Sequence, residues 1–455
     1  MRHTLFRSLV LASSALVCLA ASAQDQPIAF TGARIIPIGA PEIDRGTLVV
    51  HHGKIVAIGA DIAIPAGATS VDLGGKAIMP GLVDTHSHIG GAAGADSSSP
   101  IQPEVRVADS LSPFDAGMRR ALAGGITTVN VMPGSGHLLS GQTIYLKLRS
   151  RPGEARTIES LFINAGDPDA RTPAGGLKMA NGTNSIGGAP FPGTRAKSAA
   201  LVRERFIKAR EYADTQARVL ESAKPEDAPA RDLGNEALGE ALRGERIVQH
   251  HTHRADDIMT VLRLQKEFGF RVVLHHVSEA WKVADEIALA QRESGGKVLG
   301  CSVILVDSPG GKLEASGLSL ETCAVLERAG VTVCIHTDDW ITDSRLFLRS
   351  AGLAVRGGMS REGALAALTH NGAVMLDLGD RVGSLAPGKD ADFIVLSGDP
   401  LSVRSRVEQT WVEGRKVFDL SDPGDRLWAE GGYGAGQPQR PYLCCVDGAG
   451  VGSGE

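Results

Sequence analysis

Gly81-Leu82-Val83-Asp84-Thr85-His86-Ser87-His88 opens as a short apolar strand and ends in two histidines two residues apart. Alternate side chains of an extended chain point to the same side. His86 and His88 can therefore reach one ion. Such a pair alone is common on protein surfaces, and its recurrence is what decides the fold. His250-His251-Thr252-His253-Arg254 follows an Ile-Val pair, His275-His276 closes a second apolar run, and Asp338-Asp339 follow Val333-Cys334-Ile335-His336-Thr337. Histidines and an aspartate at successive strand ends are what a metal site at the carboxyl face of a barrel requires.

Working outward, residues 126–132, 271–276, 298–306 and 331–336 are strand-length runs rich in β-branched residues. They are separated by stretches with helical spacing, 199–220 and 255–268. Strands alternating with helices are the pattern of a parallel sheet. Short strands with glycine turns also occupy residues 28–71, and a similar stretch returns around Gly383 to Val417. The expected architecture is α/β: a (β/α)8 TIM-type barrel with a small β-sandwich domain built from both chain ends. The boundaries read as residues 24–80 and 376–420 for the sandwich, 81–375 for the barrel and 421–455 for a Gly/Pro-rich tail. Residues 221–232 read as a solvated loop.

The 455 residues fit a large barrel with a minor domain, and 56 glycines against 4% aromatics suit many tight strand–helix turns. A net charge of −5 with no basic run argues against nucleic acid, and a barrel-mouth metal site of the kind expected above suits a small-molecule substrate. Arg2 and Arg7, an apolar run over 9–20 and Ala21-Ser22-Ala23 read as a signal peptide over residues 1–23. The run is too short to span a bilayer comfortably. The expectation is a periplasmic or secreted protein with no stable membrane insertion. Cys18 offers lipid attachment as the lesser alternative. Cleavage would leave Cys301, Cys323, Cys334, Cys444 and Cys445. An odd set cannot pair fully within one chain, and Cys301 and Cys334 read as small buried hydrophobes. A homo-oligomer is compatible with all of this.

The sequence resembles the amidohydrolase superfamily, on the branch of imidazolonepropionase-like and Xaa-Pro-dipeptidase-like members. The resemblance spans about Gly32 to Val417. It is carried by residues 80–88, by Gly383-Ser384-Leu385-Ala386-Pro387-Gly388-Lys389-Asp390-Ala391-Asp392, by residues 251–258 and by Thr337-Asp338. It implies that His86 and His88 ligate one metal, that His251 and His276 ligate a second, and that Asp338 both ligates and moves protons. From the residues alone, His250 and His275 remain alternatives to their neighbours. Lys178, in Gly175-Gly176-Leu177-Lys178-Met179-Ala180, resembles the lysine that carries a CO2-derived carbamate bridging two ions. Its plainer reading is a helix-start or solvent lysine. The implied cofactors are two divalent ions, with zinc suiting the donors, and the implied mechanism is attack by a metal-bound hydroxide.

That chemistry needs no covalent intermediate, so Ser87 and Ser140 read as turn residues. His253, Arg254, His137, Tyr145 and Arg195 are the candidates for substrate binding, with Trp340 a further residue of the pocket wall. For Arg254 an ion pair with Asp256 or Asp257 is the competing expectation. The favoured activity is hydrolysis of an amide or peptide C–N bond in a dipeptide, an N-acyl amino acid or a cyclic amide. A lactonase or esterase on the same site is the alternative enzyme, and a binding protein on a retired barrel the alternative class. A deaminase fits less well, because Arg254 stands three residues after His251, where a proton-shuttling glutamate is expected. Gly182-Thr183-Asn184-Ser185 also departs from the Gly-Glu-Asn-Pro run of related sequences, which bears on substrate choice.

Overall fold

The structure is a computed structural model that describes residues 26–92, 96–150, 154, 157–167, 174–222, 228–305, 312–339 and 341–431. The signal segment with Cys18, Trp340, Cys444, Cys445 and the tail beyond Gly431 lie outside the described residues, as do residues 223–227 of the expected loop. Among the described residues no helix is long and apolar enough to cross a membrane.

One eight-stranded sheet is made from both ends of the chain. Ile28–Ile35, Ile43–His51, Lys54–Gly59, Thr69–Asp72 and Ala77–Pro80 come from the amino-terminal side, and Phe393–Leu396, Val407–Val412 and Arg415–Asp419 from the other. The seam between the ends is the antiparallel pairing of Ala77–Pro80 with Phe393–Leu396. Phe30 and Phe393 meet edge to face at 4.9 Å and Trp411 stacks on Phe393 at 5.6 Å. Aromatic burial thus ties residues far apart in sequence into one core.

Pro80 leads directly into Leu82–Ser87, the strand that carries His86 and His88. Gly81 makes that passage possible, since a Cβ there would lie 2.2 Å from the Thr127 hydroxyl. Five parallel strands form the main inner sheet: Leu177–Ala180, Val248–Thr252, Val272–His276, Val298–Val303 and Val333–Ile335. Leu82–Ser87 pairs in parallel with Ile126–Val131. Its far end meets the last inner strand through the Asp338 backbone N–H, which donates to the His86 carbonyl at 2.9 Å. The strand runs expected at 126, 271, 298 and 331 are all present, shortened at their ends where the chain turns.

The expected parallel order fails at one place. Leu139–Gln142 runs antiparallel to Leu177–Ala180, and Ile144–Lys147 runs antiparallel to Ile126–Val131. A parallel crossover usually carries a helix, and residues 132–143, which join Ile126–Val131 to Ile144–Lys147, carry none, so the chain returns antiparallel.

Helices cover the inner strands. Arg195–Ser222 extends the run expected at 199–220 at both ends, and Ala255–Phe268 has the expected limits. The latter buries Ile258, Val261, Leu262, Gln265 and Phe268 at helical spacing and stops at Gly269, which is left-handed at φ 78°. Cys301, Cys323 and Cys334 are free and buried, as small apolar side chains would be.

Candidate metal centre

Four inner strands converge on one cluster of imidazoles. Side chains two apart on Val248–Thr252 share a side, so Gln249 and His251 turn inward while His250 lines a separate small cavity with Arg195 and Asp257. The His275-His276 doublet resolves differently. His276 and Val277 adopt left-handed backbone, φ 68° and 46°, and this twist brings both imidazoles of the doublet into the cluster. Asp338, at φ 48°, is a third such residue. Strained backbone in non-glycine residues concentrates at functional sites.

The donor atoms form three groups, each with its atoms within 4.8 Å of one another: His86, His88 and Asp338; His86, His275 and His336, sharing His86 with the first; and His251, His253 and His276. His88 Nε2 is 3.0 Å from Asp338 Oδ1, and its Nδ1 donates to the Met132 carbonyl at 2.8 Å. His86 Nε2 is 3.4 Å from the same Asp338 oxygen and 3.0 Å from Lys178 Nζ. His276 Nδ1 lies 3.3 Å from His336 Nε2 and 3.9 Å from Asp338 Oδ2.

Electrostatics favour neutral nitrogen donors beside one carboxylate. Burial lowers the pKa of His86, His251, His275 and His276 well below the usual imidazole value, and the neighbouring cations and imidazoles add to it. Burial also pulls His336 to about 3 and His253 to about 4. Lys178 is fully buried, and burial brings its amine down to about 7 against an opposing pull from Asp338. Burial alone would raise Asp338, but its contact with His88 and the pull of His88, His336 and Lys178 hold it at about 2.

These residues fit divalent metal. His251 Nδ1 and His276 Nε2 are buried with no hydrogen-bond partner among the described residues. A buried polar atom left without a partner is costly, and a ligand bond relieves it. Imidazole and carboxylate donors suit zinc and its neighbours.

Of the described residues expected to bind substrate, only His253 enters the cluster. Its Nδ1 is 2.8 Å from Ser278 Oγ. Arg254 turns outward and pairs with Asp256 at 2.9 Å. Arg195 pairs with Asp257 at 2.9 Å. Tyr145 is buried in an apolar group with Val83, Ile163, Ala373 and Leu376, because it sits on the antiparallel segment. His137 is on the surface, 3.0 Å from the Asp96 carbonyl. Ser140 donates to the Gly134 carbonyl at 2.6 Å, a turn role.

Four contributors were not expected. His336 stands in the run before Asp338, where its position one residue past the strand hid its direction. Asn184 Nδ2 is 3.2 Å from His251 Nε2, so the divergent 182–185 loop reaches the cluster. Lys312 Nζ lies 3.1 Å from His253 Nε2 and 3.1 Å from Glu314. Gln249 carried no signal at all, being one polar residue in an apolar run.

The chain is similar to known proteins. The amidohydrolase family profile matches residues 207–418. An amidohydrolase structure from Thermotoga maritima is 33% identical, aligns over 86% of this chain and all of that one, and superposes with a TM-score of 0.77. An imidazolonepropionase from Syntrophobacter fumaroxidans is 26% identical over 78% of this chain and 84% of its own length. The amidohydrolase tasK of Hapsidospora irregularis is 28% identical over 84% of this chain, which spans only 41% of that protein. The chain belongs to the amidohydrolase superfamily, on its imidazolonepropionase-like branch.

Proposed function

We propose that this chain is an exported, metal-dependent hydrolase of amide C–N bonds, acting on a cyclic amide, a dipeptide or an N-acyl amino acid. The observation that carries the reading is the pair of buried, unpartnered nitrogens, His251 Nδ1 and His276 Nε2, beside the His86–His88–Asp338 group. The inner strands then form the closed barrel that the family implies, with the Asp338–His86 backbone bond supporting closure. His86, His88 and Asp338 would hold one divalent ion, His251 and His276 a second, with Lys178 as a carbamate between them. Such ions, zinc by donor type, would polarise the scissile carbonyl and lower the pKa of water.

The chain's own groups supply the proton handling. Asp338 Oδ1 lies 3.0 Å from His88 Nε2, where both atoms would face the same ion. That leaves Oδ2 to accept the proton of the attacking water and to pass it to the leaving nitrogen. Lys178, buried and drawn to about 7, presents the neutral amine that carbamate formation needs. His253 stands at the edge of the cluster, where it contacts the substrate carbonyl or carboxylate.

The test is elemental analysis of the purified protein, followed by hydrolysis assays on cyclic amides, dipeptides, N-acyl amino acids and lactones. About two ions per chain with C–N hydrolysis is the expected result. Lactone turnover alone would replace the amidase reading, and a metal-free, inactive protein after reconstitution would overturn it. The amino terminus of protein recovered from the periplasm or medium, read by mass spectrometry, tests export.

A further inference from the structure

His275 belongs to the cluster and Gln249 contacts it from the side, and neither is among the residues assigned above to hold metal or move protons. Both are fully buried. Gln249 is in register with Lys178 on one side and Val273 on the other, and His275 with His251. All of these therefore share the interior side of the sheet. Gln249 Oε1 is 2.7 Å from His275 Nε2, and His275 Nδ1 is 3.3 Å from His86 Nδ1.

The protons in this line can be placed one after another. An amide oxygen only accepts, so His275 Nε2 carries a hydrogen. A neutral imidazole has one N–H, so His275 Nδ1 is a lone pair. His86 Nδ1 must then be the donor across the 3.3 Å contact. The remaining nitrogen, His86 Nε2, is left as a lone pair at 3.0 Å from Lys178 Nζ and 3.4 Å from Asp338 Oδ1, where a ligand atom is wanted.

We infer that Gln249, acting through His275, sets the tautomer and ring orientation of His86 and so makes it competent to bind metal. Both are positioning residues, and the inference rests on the metal-site reading above. Partners that accept a ligand histidine's second N–H fix its tautomer and are worth about 10- to 100-fold in metal affinity. No other hydrogen-bonding route from Nδ1 of His86 is present among the described residues, so the whole effect passes through His275.

The test uses the full chain stripped of metal and titrated with Co2+, with affinity read by chelator competition and the site by its visible absorption. Gln249→Met removes the acceptor and should weaken Co2+ about 10- to 100-fold, with a modest fall in the metal-free melting temperature because the buried His275 Nε2–H loses its partner. Gln249→Glu keeps an acceptor and should bind within about threefold of wild type, a rescue on the scale of the same principle. His275→Phe should lose as much as Gln249→Met, and the double variant no more than either, because both break one line. Wild-type affinity in Gln249→Met, equal loss in Gln249→Glu, or additive losses in the double variant would each overturn the inference alone. Should Gln249→Met unfold, the Gln249→Glu and His275→Phe arms still decide it. A wild-type chain that takes up no Co2+ would overturn the metal-site reading and this inference with it.

Discussion

Lys147, on an inner strand, and Asp390, in the sheet built from both chain ends, form a fully buried ion pair across 243 residues. Asp392 at 3.1 Å and Glu413 at 3.3 Å share the same ammonium, while Arg381 binds the same Asp390 oxygen as Lys147 and Lys54 the other. The Pro387-Gly388-Lys389-Asp390-Ala391-Asp392 stretch therefore serves to lock the end sheet to the inner strands. Asp390→Asn leaves Lys147 short of its main partner, and breaking one side of a buried pair costs about 3–5 kcal/mol. The expected result is a clearly lower melting temperature, measured on the metal-free protein so that the metal centre does not contribute.

The same pair gives an acid limit. Burial alone would raise Asp390, but the Lys147 ammonium and the hydrogen bonds to Lys147 and Lys54 hold it at about 2, against an ordinary value of 3.8. A depressed carboxylate contributes stability that is present above the unfolded value and lost as pH falls through the folded one. Urea unfolding should show stability dropping between about pH 4 and pH 2, by on the order of 2 kcal/mol from this group. The drop should shrink in Asp390→Asn.

His86→Ala and Asp338→Asn should each abolish hydrolysis, by at least about 1000-fold given a barrier contribution of some 4 kcal/mol. Both should retain wild-type circular dichroism. Full activity in either would remove it from the site.

Lys178→Ala should lower bound metal and turnover together, since it takes away the atom 3.0 Å from His86. Added formate or acetate should restore part of both. A variant that keeps its full metal content makes Lys178 an ordinary buried lysine.

Asn184→Ala should leave stability nearly unchanged. The Asn184 amide lies 3.2 Å from His251 Nε2; turned so that its oxygen accepts the Nε2–H, it leaves Nδ1 as the ligand lone pair, so losing it should lower metal affinity by roughly tenfold, the lower end of the range for such partners. Chelator competition measures it.

Much of the site was legible in sequence because its cause is local. Two histidines at strand spacing share a side whatever surrounds them, which covers His86 with His88 and His251 with His253. The strand–helix alternation and the run to Asp338 follow from the same short-range rules. Arg254 was legible as an ambiguity, since an arginine two residues from Asp256 can satisfy itself locally, and it does.

Tertiary structure decided the rest. Adjacent residues in a regular strand point opposite ways, so only the left-handed turn at His276 lets both members of the doublet enter the cluster. The antiparallel return through Ile144–Lys147 put Tyr145 into an apolar core and Lys147 under the end sheet. Asn184, Gln249 and Lys312 come from three separate segments; the divergent 182–185 run marked Asn184 only as a matter of substrate choice, and nothing in their neighbours marks Gln249 or Lys312. Sequence determined which elements form and where their polar ends lie, because propensity and periodicity act over a few residues. Which nitrogens, amides and charges meet was decided by strand register and loop direction, which depend on packing between segments hundreds of residues apart.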